Sequence, residues 1–288
     1  MCSVHLKKNR IGQCASSRVS ILLGLLVLIP SLFGCVREVE QISETPEQTE
    51  EPRTAQEIVT DVLKAYPQSF KNTALDAIEE FSPLAIQLAQ QGPPSLRFID
   101  KSNPLPLDYT PKHLVKLKDV PSLHISRDTL EGTPEAVDAL TSMSNAMDKE
   151  GITLLVSSAY RTIAYQNWLY ERSLSLYGFT ETAMSVAPPG SSEHHLGTVF
   201  DFGDITPAFA DTPASAWLVE NAHNYGFLIT YPEASSWLTG YMYEPWHYRF
   251  VGIEAAQFAH TYFDGVAWYT LKFLTELSEH SIIHSATP

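Results

Sequence analysis

The sequence is poor in cysteine and in positive charge. Its 3 cysteines, Cys2, Cys14 and Cys35, all precede residue 36, so the body of the chain offers neither an internal disulfide nor a thiolate zinc site. Any metal ion there must be held by His, Asp or Glu. With 19 Lys+Arg against 33 Asp+Glu, the formal net charge is −14. This charge argues against a nucleic-acid partner, because such a partner requires a basic face.

Apolar runs long enough to cross a membrane are also absent. The run at residues 19–33 has about 15 residues, fewer than the roughly 20 that span a bilayer as a helix. It ends in Leu32-Phe33-Gly34-Cys35, which resembles a bacterial lipobox, and it follows the basic residues Lys7, Lys8, Arg10 and Arg18. We therefore predict that residues 1–35 are a lipoprotein signal peptide, with an uncleaved signal anchor as the alternative.

This leader predicts the location of the protein. Cys35 would be lipidated and would anchor the chain to the outer side of the bacterial cytoplasmic membrane, in the cell envelope. The following segment, residues 36–53, is rich in glutamate and has almost no large apolar side chain. Such a composition cannot offset the entropy of ordering, so we expect an acidic flexible linker between the membrane and the folded body.

A helical prefix is predicted over residues 54–98. Thr54 and Glu57 have the spacing of a capping box, and apolar residues follow at helical intervals. A second helical stretch is expected after Asn72, interrupted by Pro83 and ended by Gly92.

Residues 99–288 are predicted to form the main domain. Its first part, residues 99–111, is rich in proline and should follow an extended path over the surface. Helices then precede short strands separated by long loops, which predicts an α+β fold with a small antiparallel sheet and helices packed around it. The predicted helices begin at Thr133, Thr162 and Pro213, and the predicted strands are residues 152–156, 197–202, 227–231 and 246–251.

Two short segments carry the side chains of a possible metal site. His194 and Asp201 lie on either side of Gly197, so a turn followed by a strand can aim both at one point. Downstream, His247 follows Glu244 by three residues. His, Asp and His leave a zinc ion one open position, with a carboxylate nearby to take a proton from water. His195 could replace His194, and Asp204 could replace Asp201.

Four motifs in this order resemble the VanY-type D-alanyl-D-alanine carboxypeptidases, which are zinc peptidases of the bacterial cell wall. They are Ser-Ala-Tyr-Arg-Thr at 158–162, Gln166, Ser192-x-His194-x-x-Gly197 with Asp201, and Glu244-x-Trp246-His247-x-Arg249. The resemblance covers about residues 99–252. It implies a hedgehog-like fold and a Zn²⁺ ion held by His194, Asp201 and His247.

The resemblance also implies the roles of the neighbouring residues. Glu244 would be the general base, and Arg161 would act in catalysis, either on the terminal carboxylate or on the scissile carbonyl of the substrate. Gln166 and Ser192 would bind the substrate. From their aromatic character, and not from the resemblance, we expect Trp246 to form a substrate-binding wall of the cleft and Tyr160 to be either a substrate-binding pocket residue or a core residue.

The predicted function is removal of the C-terminal D-alanine from peptidoglycan stem peptides by metal-activated water. No Gly-x-Ser-x-Gly elbow and no cysteine in the body offers a nucleophile for a covalent route. The alternatives are an L,D-carboxypeptidase acting on tetrapeptide stems and a non-enzymatic wall-binding lipoprotein. The expected partners are the stem peptide and, through the lipid, the membrane; no obligate protein partner is inferred.

Overall fold

The computed structural model describes residues 53–233 and 235–285. The predicted signal peptide, the lipidation site Cys35 and nearly all of the linker lie outside these ranges. Within them, the helices are α1 (Ala55–Leu63), α2 (Gln68–Asp76), α3 (Ile78–Gln91), α4 (Pro134–Lys149), α5 (Ile163–Ser185), α6 (Pro213–Asn221), α7 (Ser236–Thr239), α8 (Ile253–Tyr262) and α9 (Ala267–Ser285). The strands are β1 (Val115–Lys116), β2 (His124–Ile125), β3 (Glu131–Gly132), β4 (Leu155–Ser158), β5 (Val199–Phe202), β6 (Phe227–Ile229) and β7 (His247–Phe250).

The strands form a small central sheet with helices around it, so the predicted α+β class is confirmed. Five strands lie in the order β2-β4-β5-β7-β6, and β1 pairs with β3 in a separate two-stranded ribbon. All pairs in the central sheet are antiparallel except β2 with β4 at one edge, which is parallel. The prediction of a small antiparallel sheet did not include β2, because a strand of two residues is too short to leave a periodic pattern.

The register of the sheet brings distant residues side by side. Asp201 on β5 pairs with Ser158 on β4 and with His247 on β7. Directly opposed residues on neighbouring strands point to the same face of a sheet. The three central strands therefore carry a row of polar side chains at one level of an otherwise apolar sheet.

The helical prefix starts and ends where the sequence predicts. Thr54 caps α1 in a complete capping box with Glu57, and Gly92 ends α3 in the left-handed conformation, with φ of 44°. The internal boundaries were predicted wrongly. The second helix begins at Gln68, so Asn72 lies inside it, and the chain then breaks at Ala77, whereas Pro83 lies inside α3. The residue whose carbonyl loses its partner at this proline, Glu79, is exposed, so water can satisfy that group.

The prefix packs against the C-terminal helices rather than standing apart from them. One apolar cluster combines buried side chains of α1, α2 and α3 with those of α8 and α9. A second cluster joins α4, α6 and the central sheet. Among the described residues, none of the helices combines the length and apolar character that crossing a bilayer requires.

The helices and strands of the main domain follow the predicted order with small shifts. Helix α4 begins after Thr133, and α5 begins after Thr162, whose hydroxyl accepts a hydrogen bond from the Tyr165 amide. The strand predicted at residues 152–156 was placed too early, since β4 covers Leu155–Ser158. Ser157 and Ser158, which follow the predicted strand, belong to β4 and are buried.

Candidate metal centre and cleft

Three buried side chains meet at the polar row of the sheet. His194 lies in a 3-10 turn (Glu193–Leu196) that Gly197 ends in the left-handed conformation, with φ of 71°. Asp201 lies on β5 and His247 begins β7. One ligand atom from each lies within 4.8 Å of the others, and this is the group of potential metal ligands found in the described part of the chain.

The distances within this group suit a small divalent cation. His194 Nε2 lies 3.2 Å from Asp201 Oδ2, and His247 Nδ1 lies 3.2 Å from Asp201 Oδ1. Each histidine thus faces a different oxygen of the Asp201 carboxylate, at close to the roughly 3.3 Å that separates ligand atoms at a tetrahedral zinc ion with bonds of about 2.0–2.1 Å. Asp201 Oδ1 is buried and has no hydrogen bond to any described residue. The donor set and its spacing therefore fit the metal ion that the family resemblance implies.

Neighbouring acceptors fix which nitrogen of each histidine is free. His194 Nδ1 lies 2.7 Å from the Ala159 carbonyl oxygen, and His247 Nε2 lies 3.1 Å from Glu193 Oε2. A carbonyl or carboxylate oxygen only accepts, so these two nitrogens carry hydrogen. In a ring that carries one hydrogen, the other nitrogen is the atom available to a metal ion, and these atoms, His194 Nε2 and His247 Nδ1, both face Asp201.

Glu244 stands beside the ligands without belonging to the group. Its Oε2 lies 3.5 Å from His247 Nδ1. Burial raises the pKa of the Glu244 carboxyl to about 7, although the neighbouring His247 favours the charged form. A carboxylate with such a pKa can take and return a proton near neutral pH.

Two buried residues beside the metal group, Glu193 and Arg249, were not predicted to contribute to it. Glu193 is buried and accepts hydrogen bonds from both His247 and Arg249. Burial opposes its charge, but Arg249 and His247 hold the pKa of this carboxyl well below its usual range. The one available signal was Arg249 itself, because a charged residue between Tyr248 and Phe250 on a buried strand needs a partner.

Arg161 connects the metal group to the cleft. Its Nη2 lies 2.8 Å from Asp201 Oδ2, and both its Nε and Nη2 donate to Ser158 Oγ. Its Nη1 lies 3.5 Å from Gln166 Oε1. Gln166 is itself fixed by donating through Nε2 to the Ala187 carbonyl at 2.8 Å. The predicted pair is thus brought together at the edge of the metal group.

The other predicted site residues divide into two groups. Ser192 and Trp246 line the cleft together with Arg161 and Gln166, whereas Tyr160 is not among the lining residues. The Tyr160 side chain instead forms a hydrogen bond with Thr110, and burial raises its pKa. Tyr160, which we predicted to be a pocket or a core residue, is thus half-buried and lies outside the residues that line the cleft.

The structure decides between the alternative ligands. Both ring nitrogens of His195 have partners, since Nδ1 lies 2.7 Å from the Arg161 carbonyl oxygen and Nε2 accepts from the Gly190 amide. Asp204 is exposed, and its carboxylate accepts from the amide and hydroxyl of Thr206. Neither residue belongs to the group formed by His194, Asp201 and His247.

A cleft of about 390 Å³ opens above the metal group. Part of its lining, which we call the α5 wall, consists of the α5 residues Leu169, Arg172, Leu176 and Tyr177. The lining also includes Tyr231, Tyr241 and Glu244. Outside the lining, Lys101 Nζ donates at 2.6 Å to the carbonyls of both Ala183, on α5, and Gly240, which follows α7. The Met242 amide also donates to the Met184 carbonyl at 2.9 Å.

Comparison with known proteins identifies the family. The model of the family described as VanY, D-alanyl-D-alanine carboxypeptidase, matches residues 130–253. The chain is 34% identical over 171 residues to VanXYC of Enterococcus gallinarum, a bifunctional D-Ala-D-Ala dipeptidase and carboxypeptidase, and covers 86% of it. The chain belongs to the VanY family. It is also 36% identical over 172 residues to YodJ of Bacillus subtilis, of whose length it spans 62%.

Solved structures of VanY-type proteins have the same fold. The LdcB LD-carboxypeptidase matches with a TM-score of 0.56 at 33% identity, covering 62% of this chain and 87% of that one. A mutant of the vancomycin-resistance D,D-pentapeptidase VanY, in complex with Zn(II), matches with a TM-score of 0.51 at 28% identity, covering 62% and 99%. The VanY match at residues 130–253 contains His194, Asp201, Glu244 and His247 but not the helical prefix.

Proposed function

We propose that the protein is a zinc-dependent D-alanyl-D-alanine carboxypeptidase that removes the terminal D-alanine from peptidoglycan stem peptides. The observation that carries the proposal is the group of His194, Asp201 and His247, with Glu244 Oε2 3.5 Å from His247 Nδ1, at the base of an open cleft. A zinc ion held by this group would supply a Lewis acid for the scissile carbonyl and for the attacking water.

Glu244 is the residue placed to move the proton. Its carboxylate accepts the proton that water loses on adding to the carbonyl carbon. It then gives this proton to the amine nitrogen as the C–N bond breaks, so D-alanine leaves as the free amino acid. No covalent bond to the protein is required, in agreement with a cleft whose lining includes neither cysteine nor an activated serine.

The position of Arg161 favours one of its two possible roles. Because its Nη2 lies 2.8 Å from a ligand oxygen of Asp201, its remaining donors reach atoms close to the metal group. We assign it to the scissile carbonyl, where it stabilises the negative charge that develops on the oxygen. Gln166 keeps the guanidinium in this orientation, and Ser192 and Trp246 contact the substrate peptide.

The choice of substrate is supported by VanXYC, which is named for D-Ala-D-Ala activities. The similarity to the LdcB LD-carboxypeptidase supports a second candidate, cleavage of tetrapeptide stems. The two are separated by incubating the full chain in detergent with zinc and either a pentapeptide ending in D-Ala-D-Ala or the matching tetrapeptide. Mass spectrometry then follows the release of alanine, with a chelator and zinc re-addition as controls.

We expect chelator-sensitive loss of one alanine from the pentapeptide. Loss from the tetrapeptide alone would replace this assignment with the L,D activity. Release from neither peptide by a zinc-loaded sample would contradict both and favour a wall-binding protein.

We also propose that Cys35 anchors the chain through lipid, with residues 36–53 as a tether to a body formed by the prefix and the main domain. The lipobox-like sequence before Cys35 supports this location outside the cytoplasmic membrane. Replacing Cys35 with Ser should move the protein out of the membrane fraction and remove the mass of the lipid. Retention of the Cys35→Ser chain in the membrane fraction, from which only detergent releases it, would favour an uncleaved signal anchor.

A further inference from the structure

A fully buried arginine connects the metal group to the helical prefix. Arg249 lies on β7, two residues after His247, and its side chain is 0% exposed. Its Nη1 donates to Glu193 Oε1 at 2.5 Å. Its Nη2 donates to two backbone carbonyl oxygens, at 2.9 Å to Ser95 and at 2.5 Å to Arg97. One carboxylate and two carbonyls therefore determine where this guanidinium lies.

Glu193 connects the fixed Arg249 side chain to His247, one of the three potential metal ligands. Its second oxygen, Oε2, accepts from His247 Nε2, so a single carboxylate connects Arg249 with the imidazole. The hydrogen bond on the outer nitrogen of a ligating histidine fixes its tautomer and the orientation of its ring. Loss of such a bond commonly weakens metal binding by about 10–100-fold.

The two carbonyls belong to the turn that ends the prefix. Pro94–Leu96 form a 3-10 turn directly after Gly92 ends α3. The Leu96 side chain, between the two carbonyl-bearing residues, is buried in the apolar cluster formed by α1, α2, α3, α8 and α9. Packing of the prefix thereby fixes the turn, and the turn presents the carbonyl oxygens of Ser95 and Arg97 to Arg249.

We propose that the helical prefix is an integral part of the metal centre, because its closing turn positions His247 through Arg249 and Glu193. These two side chains are positioning residues, since neither belongs to the ligand group. The inference rests on the proposed function only for the presence of a divalent cation. It assigns a role to a segment that lies outside the VanY match at residues 130–253.

A matched pair of leucine variants tests the role of the turn. Leu96 and Leu63 are buried in the same cluster, but Leu63 lies on α1 and not on the turn. Leu96→Ala and Leu63→Ala remove the same atoms and should lower stability comparably. The affinity of the full chain for Zn²⁺ is measured by competition with a chromophoric chelator. We expect it to fall at least about tenfold in Leu96→Ala and less than about twofold in Leu63→Ala.

A second variant tests the link from Glu193 and remains informative if Leu96→Ala fails to fold. Glu193→Gln keeps the size of the side chain but replaces one of its two acceptor oxygens with an amide. We expect Zn²⁺ affinity to fall about 10–100-fold and the visible absorption of the Co²⁺-loaded protein to change shape, because the ligand geometry at His247 relaxes.

Equal losses of affinity in the two leucine variants, or an unchanged affinity and Co²⁺ spectrum in Glu193→Gln, would overturn the proposal. These readouts do not depend on which peptide is cleaved. Unchanged Zn²⁺ affinity in Leu96→Ala and Glu193→Gln, with alanine still released, would refute the inference and leave the proposed function standing. Loss of Zn²⁺ affinity in these variants, when the zinc-loaded wild-type chain itself releases no alanine, would support the inference and refute the proposed function.

Discussion

The metal-group side of the cleft, at its base, and the α5 wall differ in how firmly their side chains are held. At the metal group, His194, Asp201 and His247 are nearly inaccessible to solvent, and each has hydrogen bonds or ion pairs to fixed neighbours. On the α5 wall, Leu176 is 59% exposed and Tyr177 is 67% exposed. Chemistry requires atoms placed to within about 0.5 Å, whereas recognition of a flexible peptide does not. The cleft thus combines a preorganised side with an adaptable one.

The largest loss of activity should come from the fixed side, in Glu244→Gln. This change keeps the shape of the side chain but removes the group that takes the proton. We expect the rate of alanine release to fall by about 10²–10⁴-fold. Zinc content should stay at the wild-type level, which metal analysis of the same sample checks. Full activity in this variant would contradict the assignment of Glu244 as the base.

Metal removal should show that the fixed side also contributes to stability. Asp201, Glu193 and Glu244 place three carboxyl groups near His247, so a bound cation offsets buried negative charge. A metal present at about 1,000 times its Kd stabilises the folded state by about 4 kcal/mol. In thermal unfolding, a chelator should lower the Tm by about 10 °C, and zinc should restore it. An unchanged Tm would mean that these residues hold no cation in solution.

Arg161→Lys should lower kcat by about 10²-fold with little change in KM, because a lysine cannot contact Ser158, Asp201 and the carbonyl oxygen together. The matched control is Arg172→Lys, which alters the other arginine in the cleft lining and should leave kcat within about twofold. If Arg161→Lys raised KM alone, Arg161 would instead bind the substrate's carboxylate.

The smallest effect is expected on the α5 wall itself. Arg172 lines the cleft and lies 5.4 Å from the ring of Trp168, which is itself 51% exposed, so this contact is open to solvent. Exposed contacts of this kind contribute less than about 1 kcal/mol. Arg172→Ala should therefore raise KM by about threefold and leave kcat unchanged in steady-state assays. A loss of kcat like that of Arg161→Lys would show that both sides of the cleft are equally preorganised.

Part of the group His194, Asp201 and His247 could be predicted because His194 and Asp201 are close in the sequence. His194, Gly197 and Asp201 lie within one turn and one strand, and Glu244 and His247 lie within four residues of each other. The spacing of residues that lie this close together can be recognised in the sequence. The contact of Arg161 with Asp201 was not predicted, because the two residues are 40 positions apart and meet where β4 pairs with β5.

The supporting contacts could not be predicted because they depend on tertiary packing. Glu193 and Arg249 are 56 residues apart, and they meet only because β5 and β7 are paired in one particular register. The carbonyls of Ser95 and Arg97 carry no side-chain signature at all. Likewise, the sequence predicts a break at Pro83 because proline usually ends a helix. The helix continues because the Glu79 carbonyl, which loses its hydrogen bond there, belongs to an exposed residue and can bond to water.

The link made by Lys101 has a consequence for the movement of two chain segments. Its ammonium group donates hydrogen bonds to the carbonyl of Ala183, near the end of α5, and to the carbonyl of Gly240, directly after α7. The same ammonium group lies 4.0 Å from the centre of the Tyr241 ring. The end of α5 and the turn after α7 therefore cannot separate without breaking these contacts together.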